Sequence, residues 1–450
     1  MNRLIPRMAL PTIAAQLVTW IYNLTDTFFI STLGTSATAA VGVNYSLEQA
    51  IMLGATLLSV GSGSLISRLL GEKRSDKASK ILSTAVFTGL LFSAVIMLIG
   101  LIWTDWMVMA LGATEDCRVY ANDYATCLLY GTPFMITAFI LNQTLRSEGS
   151  PMLAMIGISI GGLLNIALDP VFIFLLEQGI AGAAIATSIS KGVSCLILLF
   201  PYLAGHSTVR LSVRAIHYDL RDCMEVVSIS ASSFFRTAMV MVSNTLMNHV
   251  AGGFSTAFLA AVTVGSRVMK FPFAIILGFS QGYQPVVGYN WGAKRFDRVR
   301  ESLRFSEITA LIGAAILGAL LFAFARPAVQ IFSRSDAELV WIGVLVVRLE
   351  CLTMPIHAFG AVLNMFYAGI GCPLEAMALS TARQGYCLIP LLFLLPALFG
   401  EMGLVACQAS ADLLTLALSV PMIFRALRLI RRAEADASER AHAGAEAALP

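Results

Sequence analysis

The sequence predicts an all-α polytopic membrane protein, with twelve transmembrane helices in two six-helix lobes related by a pseudo-two-fold axis along the membrane normal. Three observations carry this expectation. Of 450 residues, 57% are hydrophobic and only 13% charged, against roughly 25% charged in soluble chains. The mean hydropathy of +0.78 comes from apolar runs along the whole chain, which excludes an outer-membrane barrel, whose strands alternate apolar and polar residues. The third observation is a loop pattern of the first half that returns in the second. Since one span takes about 20 apolar residues, the composition supplies on the order of twelve spans and leaves no room for a soluble catalytic domain.

Apolar stretches between charged or Gly/Pro-rich breaks place the first six helices near 8–33, 43–68, 81–103, 120–145, 152–176 and 180–203. The second six fall near 226–250, 256–282, 304–325, 340–368, 377–398 and 402–424. The amino end lacks a small-residue cleavage site after a short apolar core, so it reads as a first span rather than a signal peptide. The domain reading is an amino-terminal lobe 1–204, a polar linker 205–225 rich in Arg and Asp, a carboxyl-terminal lobe 226–425, and a polar tail 426–450. The tail reads as a solvated helix with no packed core of its own.

Charge placement orients the spans. Arg3 and Arg7, then Arg68 to Lys80, Arg146, the linker arginines, Lys294 to Arg304, and Arg425 to Arg432 fall on alternate connections. The opposite connections carry Asp105, Glu115, Asp116, Glu177 and Glu401, with Arg118, Arg326 and Arg334 as positive exceptions. The positive-inside rule then predicts both termini in the cytoplasm, with Ser36 and Glu401 outside.

The repeat is visible by eye. Gly71-Glu-Lys73-Arg74-Ser-Asp76-Lys77 returns as Gly292-Ala-Lys294-Arg295-Phe-Asp297-Arg298 at an offset of 221. Gly149-Ser-Pro151 returns as Gly371-Cys-Pro373, Pro133 as Pro355 and Asn142 as Asn364, each at 222, and Gly179 with Gly182 as Gly400 with Gly403 at 221. Six helices is an even number, so the halves are parallel repeats of the kind found in secondary transporters. The basic loops and Gly-Pro joints have architectural explanations, and Gly157 with Gly161 reads as a close helix contact.

Function is expected where the symmetry breaks. Asp26 and Asp169 lie inside apolar helices, and the offset carries them to Met247 and Pro390, which are not acidic. A carboxylate at the centre of a bilayer costs about 2.5–3.5 kcal/mol on insertion scales. From the helix starts both aspartates lie about 26 Å along at 1.5 Å per residue, so they can face each other at one level. Asn165 and Tyr22 each precede an aspartate by four residues on the same face, and Thr187 of the sixth span reaches a similar depth. Two close carboxylates in low dielectric cannot both ionise cheaply, which suits a proton carrier. The same oxygens, of Asp26, Asn165, Asp169 and Thr187, can instead coordinate Na⁺. Asn23, Arg236, Asn244, His357 and Asn364 are the expected lining of a substrate cavity.

The runs Leu10-Pro11 through Tyr22-Asn-Leu-Thr-Asp26-Thr-Phe-Phe-Ile30, Leu145-Arg-Ser-Glu-Gly-Ser-Pro151, Asn165-Ile-Ala-Leu-Asp169-Pro170, and Gln281-Gly-Tyr-Gln-Pro285 with Gly288-Tyr-Asn-Trp-Gly-Ala-Lys294 resemble the MATE multidrug exporters. The likeness covers all twelve spans and leaves out the tail. It implies a two-lobed exporter driven by H⁺ or Na⁺, with the amino-lobe acid site of the prokaryotic members falling on Asp26, Asp169, Asn165 and Thr187, and a first-helix kink at Pro11. One branch also places acids in the seventh and tenth helices. Here the seventh offers Ser233, Arg236 and Asn244 and the deep part of the tenth offers His357 and Asn364, so a carboxyl-lobe acid site is not expected.

No GxxxxGK[ST] loop occurs, so ATP is not the direct energy source. The five histidines form no HExxH array, and the eight cysteines lie singly, which argues against an intramembrane enzyme and a zinc site. The expected activity is therefore efflux of amphipathic, cationic organic compounds by alternating access in exchange for an ion. The competing reading is a flippase for lipid-linked saccharides or lipids. No cofactor and no nucleic-acid partner are expected; the partners are small-molecule substrates and the bilayer. A monomer in a prokaryotic plasma or inner membrane is the expected working form.

Overall fold

The computed structural model describes residues 1, 3–332 and 337–446; Arg334, one exception in the charge reading, lies outside them. The described chain is helical, and eleven of its helices are long and apolar enough to cross a membrane. In chain order the fourteen α-helices of the described residues begin with α1 (Leu4–Ser31), α2 (Thr35–Gly71), α3 (Ser75–Ile102), the short α4 (Thr104–Ala110), α5 (Arg118–Ser147), α6 (Pro151–Pro170) and α7 (Gly179–Leu203). There follow α8 (Leu220–Phe254), α9 (Thr256–Gly292), α10 (Phe296–Ala323), the short α11 (Ala325–Gln330), α12 (Ala337–Ile370), α13 (Pro373–Ala382) and α14 (Leu388–Glu446).

Ten expected spans match single helices. The eleventh, read as 377–398, is instead broken: α13 stops at Ala382, and residues 383–387 turn before α14 begins. A Cβ on Gly385 would stand 2.5 Å from the Thr381 carbonyl oxygen, so this turn closes only over glycine. The twelfth span is the second part of α14, beyond Gly400, whose φ of 61° and ψ of −140° interrupt the helix. Two helical runs therefore meet inside α14, so the described residues hold the twelve apolar segments that the sequence predicts. α1 runs from Leu4 to Ser31 with Pro11 inside it; the proline has no N–H for the Arg7 carbonyl, which removes one rung of the helical ladder.

The repeat is written in the backbone. Gly149 and Gly371 adopt φ of 86° and 84°, and Gly179 and Gly400 adopt 54° and 61°. Lys73 and Lys294 both turn left-handed, at 61° and 55°, and each is followed by a capping bond, Arg74 N to Leu69 O at 2.8 Å and Arg295 N to Asn290 O at 3.0 Å. Asn142 Nδ2 donates to the Ala154 carbonyl at 2.9 Å, and Asn364 Nδ2 donates to Ala376 at 2.6 Å. Asn364 was expected to line a cavity. It instead ties the α12–α13 joint, as its counterpart ties α5 to α6.

Two compact units form, one from Leu10–Leu70 with Arg74–Ser230, the other from Met1–Ala9, Gly71–Lys73 and Ala231–Pro450. They are drawn differently from the lobes 1–204 and 226–425 read from the sequence. The first nine residues belong with the carboxyl-terminal half, and the chain as far as Ser230 belongs with the amino-terminal half. Ala9 and Ser230 are themselves related by the offset of 221, so the exchange of helix ends follows the repeat. Close contacts seal it within each unit. A Cβ on Gly61 would fall 1.9 Å from the Val226 carbonyl oxygen, and one on Gly282 would fall 2.6 Å from the Ala9 Cα.

In the first unit, a core around Ile66, Leu82, Ala125, Leu128, Ile136 and Leu198 is buried between the helices. The polar linker lies strapped along α3. Arg210, Ser212 and His217 donate their backbone N–H to Ser79, Ser83 and Thr84 at 3.0, 3.1 and 3.1 Å. Glu148 holds the start of this strap, accepting from Tyr202 Oη at 2.9 Å, Thr208 N at 3.1 Å and the Ser207 hydroxyl. Burial pushes the Glu148 carboxyl up, and these donors oppose the shift. In the second unit, the apolar cores take in Tyr283, Phe366 and Ile430, Phe258 and Leu392, and Met269 and Met354. The tail is less detached than expected: Ala433 and Ala437 pack against the first of these cores, and Arg300 bonds Glu434 at 2.5 Å. Outward faces carry large exposed apolar side chains, among them Leu91, Ile102, Leu196, Phe200, Leu352 and Phe393, a surface suited to lipid.

Candidate functional site: a paired-acid centre in the amino-terminal unit

Three helices build the centre, and each contributes two residues one helical turn apart: Tyr22 and Asp26 from α1, Asn165 and Asp169 from α6, Thr187 and Lys191 from α7. Asp169 is fully buried and Asn165 is 2% exposed. Asp26 and Asp169 stand within hydrogen-bonding reach of each other. Asn165 Nδ2 donates to Asp169 Oδ1 at 3.0 Å and to Thr187 Oγ1 at 3.2 Å. Oδ1 of Asp26 and Oδ2 of Asp169 are buried and have no donor from the protein. A proton shared between the two carboxyls satisfies such a pair, whereas two bare carboxylates repel.

The local sequence explains why α6 and α7 hold this geometry. Where Gly157 sits, a Cβ would strike Leu198 at 2.4 Å, and at Gly161 one would meet Ser194 at 2.8 Å. Ser194 Oγ donates to the Gly157 carbonyl at 2.8 Å. The glycines thus make the close helix contact their spacing predicts. At the other end of the pair, a Cβ on Gly182 would stand 2.6 Å from the Phe172 carbonyl oxygen. Just beyond Asp169, Pro170 cannot donate to the Ile166 carbonyl, and the chain widens into a π-helical turn, Val171–Leu175. Leu176 N then bonds Val171 O at 2.9 Å. Such turns often flank functional residues.

The sequence reading missed Lys191, Glu48 and Tyr124. Lys191 Nζ donates to Tyr22 Oη at 2.9 Å and lies 5.0 Å from the ring centroid, so the hydroxyl rather than the ring face holds it. It interacts electrostatically with Asp26 and with Glu48 of α2. Tyr124 of α5 is 6% exposed and feels the charges of Asp26, Glu48 and Asp169. A lysine in the middle of an apolar span, four residues beyond Thr187, was available as a signal. Among the cavity expectations, Asn23 and Asn244 are exposed, Arg236 is half-buried with no partner for its Nε, and His357 packs edge-on to Phe273 at 4.8 Å.

The carboxyl-terminal unit holds an ionic centre that the sequence reading did not anticipate. Arg383, in the turn between α13 and α14, donates from Nε to Asp412 Oδ1 at 2.6 Å. Thr353 Oγ1 donates to Asp412 Oδ2 at 2.7 Å. The Arg383 guanidinium lies 4.6 Å over the Phe273 ring, and the buried Glu350 interacts with both charges. Elsewhere in the unit, Glu307 is buried with neither carboxyl oxygen bonded. The offset of 221 carries Lys191 onto Asp412 and Thr187 onto Gln408. One structural position therefore bears a cation in one half and an anion in the other.

Comparison with known proteins agrees with this architecture. The family model described as MatE matches residues 11–171 and again 233–394, once per half. The chain is similar to the multidrug export protein MepA of Staphylococcus haemolyticus (strain JCSC1435), 26% identical over 398 residues that cover 88% of this chain and 87% of the relative. It is also similar to MepA of Staphylococcus aureus (strain MSSA476), 25% identical over 432 residues, 96% of this chain and 94% of the relative. Among solved structures, an outward-facing multidrug resistance MATE family transporter of the MOP superfamily superposes with a TM-score of 0.90 at 22% identity, covering 96% of both chains. A MOP superfamily transporter from Pyrococcus furiosus, described as having a binding pocket of reverse polarity, gives 0.88 at 22% identity over 96% of both chains. With two matched halves that together span most of its length, the chain belongs to the MATE family of exporters.

Proposed function

We propose that this chain is a multidrug efflux transporter that exports amphipathic, cationic organic compounds in exchange for H⁺ or Na⁺, with Asp26 and Asp169 as the coupling pair. The observation that carries the reading is the paired-carboxyl geometry, with Asn165 bonded to both Asp169 and Thr187. A carboxyl pair that binds and releases an ion on one face of a lobe gives the gradient a handle on the protein. One elementary charge crossing 100 mV supplies about 2.3 kcal/mol. Both termini are cytoplasmic in this proposal, the direction is outward, and the working unit is a monomer. Amphipathic cations suit a protein rich in methionine and aromatic side chains, which adapt to varied shapes and attract positive charge. The flippase reading is less favoured, because the relatives above are multidrug export proteins by name.

The test is accumulation of a lipophilic cationic dye in proteoliposomes with pH and Na⁺ gradients imposed separately. Uphill movement under either gradient supports the proposal. If no gradient moves any lipophilic cation while lipid-linked saccharide crosses the bilayer, the flippase reading takes its place.

A further inference from the structure

We propose that Lys191 is a tethered counter-cation that reserves the amino-lobe centre for protons and excludes Na⁺. The inference rests on the exporter reading and narrows it to one coupling ion. Its first support is position. The Lys191 ammonium is anchored to Tyr22 Oη at 2.9 Å, one helical turn from Asp26 on α1 and one turn from Thr187 on α7. Lys191 interacts with Tyr22 and Asp26 of α1 and with Glu48 of α2; Asp169 of α6 and Tyr124 of α5 interact in turn with Asp26.

The second support is the state of the oxygens. A Na⁺ site needs several oxygens facing inward with free lone pairs. Here Tyr22 Oη accepts from Lys191, while Asp169 Oδ1 and Thr187 Oγ1 both face the Asn165 amide N–H. Three buried oxygens are left without a donor, Asp26 Oδ1, Asn165 Oδ1 and Asp169 Oδ2, and two of them belong to the carboxyls that stand within hydrogen-bonding reach of each other. The two carboxyls can share one proton, whereas a Na⁺ held by these three oxygens would be a second cation in a centre that already contains the Lys191 ammonium.

The third support is electrostatic. A fixed unit cation about 6 Å away weakens binding of a second cation by on the order of a hundredfold at an effective dielectric of about 20. A buried carboxyl pair starts with a high proton affinity and tolerates that loss. Na⁺ binding to carboxylates starts weak and does not. Charge bookkeeping fits exchange as well: when the proton leaves the carboxyl pair, one monovalent organic cation restores the same total.

The experiment uses the purified full-length protein. Isothermal titration calorimetry with NaCl against KCl, at fixed pH and ionic strength, is expected to show no Na⁺-specific heat for the wild type. Lys191→Met, which removes the charge and keeps the length, should acquire a saturable Na⁺ signal, and Lys191→Arg should stay silent. In proteoliposomes, wild-type dye export should follow an imposed pH gradient and ignore an imposed Na⁺ gradient. Saturable Na⁺ heat in the wild type, export driven by Na⁺ alone, or a monodisperse Lys191→Met protein that stays blind to Na⁺ would each overturn the proposal. Should Lys191→Met fail to give monodisperse protein, Lys191→Gln takes its place and the wild-type measurements decide independently of both. If neither gradient drives export, the exporter reading fails, while the calorimetry still judges the role of Lys191.

Discussion

Stability of the carboxyl-terminal unit should depend on which partner of its buried ion pair is removed. Arg383 and Asp412 meet at 2.6 Å with side chains only 12% and 2% exposed. At an effective dielectric of about 20, two unit charges at that distance attract by about 6 kcal/mol. Desolvating each ion takes back several kcal/mol, so the intact pair is close to neutral for stability, whereas stranding one partner costs about 3–5 kcal/mol. The surroundings then rank the substitutions. Asp412→Asn leaves Arg383 with Glu350 as a second acid and keeps an acceptor for Thr353, so the loss should be about 1–3 kcal/mol. Arg383→Met leaves Asp412 and Glu350 together without a cation, and also removes the stacking on Phe273, so it should reach the full 3–5 kcal/mol. The double variant should recover part of that loss, because Glu350 is then the one acid left in the centre and no second carboxyl opposes it. Buried Cys351, Cys387 and Cys407 in the same unit allow unfolding to be followed in detergent with a thiol-reactive fluorophore. The reasoning is refuted if Asp412→Asn is the more damaging single change, or if the double variant is no more stable than Arg383→Met.

Three further outcomes follow from the amino-terminal unit. Asp26→Asn and Asp169→Asn should each abolish uphill dye accumulation in folded protein, and the double variant should be little worse than the worse single one, since a shared site loses its function once; multiplied defects in reconstituted transport would point to independent sites. Gly182→Ala places a methyl 2.6 Å from the Phe172 carbonyl oxygen and should lower stability by about 1–3 kcal/mol through overpacking, read as a lower denaturation midpoint in detergent, whereas the open position Gly192, whose nearest neighbour stands at 4.0 Å, should tolerate alanine. Glu148→Ala removes the acceptor for Tyr202, Ser207 and Thr208, so trypsin should cut at Arg210 and Arg214 several-fold faster than in the wild type; an unchanged cleavage rate would mean the α3 contacts alone hold the strap.

Much of this was legible in the sequence because the membrane makes polar residues conspicuous. Asp26, Asp169, Asn165, Thr187 and Tyr22 stood out by their cost in an apolar helix, and helical spacing put them on matching faces. What the sequence hid was partnership at a distance. Lys191 acquires meaning from Tyr22, 169 positions earlier. Arg383 looked like part of a long helix until the Gly385 turn freed it to reach Asp412. Asn364 was misread because depth and polarity do not name a partner, although its match to Asn142 was itself a clue: a residue kept in both halves serves what both halves share. Asp412 met the same criterion as the aspartates that were noticed, and mapping Lys191 through the repeat would have pointed to it.

The exchange of helix ends between the units, Met1–Ala9 in one direction and the start of α8 in the other, bears on how the gene can be cut. A nick within residues 205–219 separates two polypeptides of nearly equal length, yet neither is a self-contained fold. The amino-terminal fragment lacks Val226 and Ser230, against which Gly61 is seated, and carries nine residues that belong elsewhere. Its partner arrives without the segment around Met8 and Ala9 that covers Gly282. Reassembly from such pieces therefore demands that each borrow a turn of helix from the other, so half-length fragments should be recovered only when they are made together.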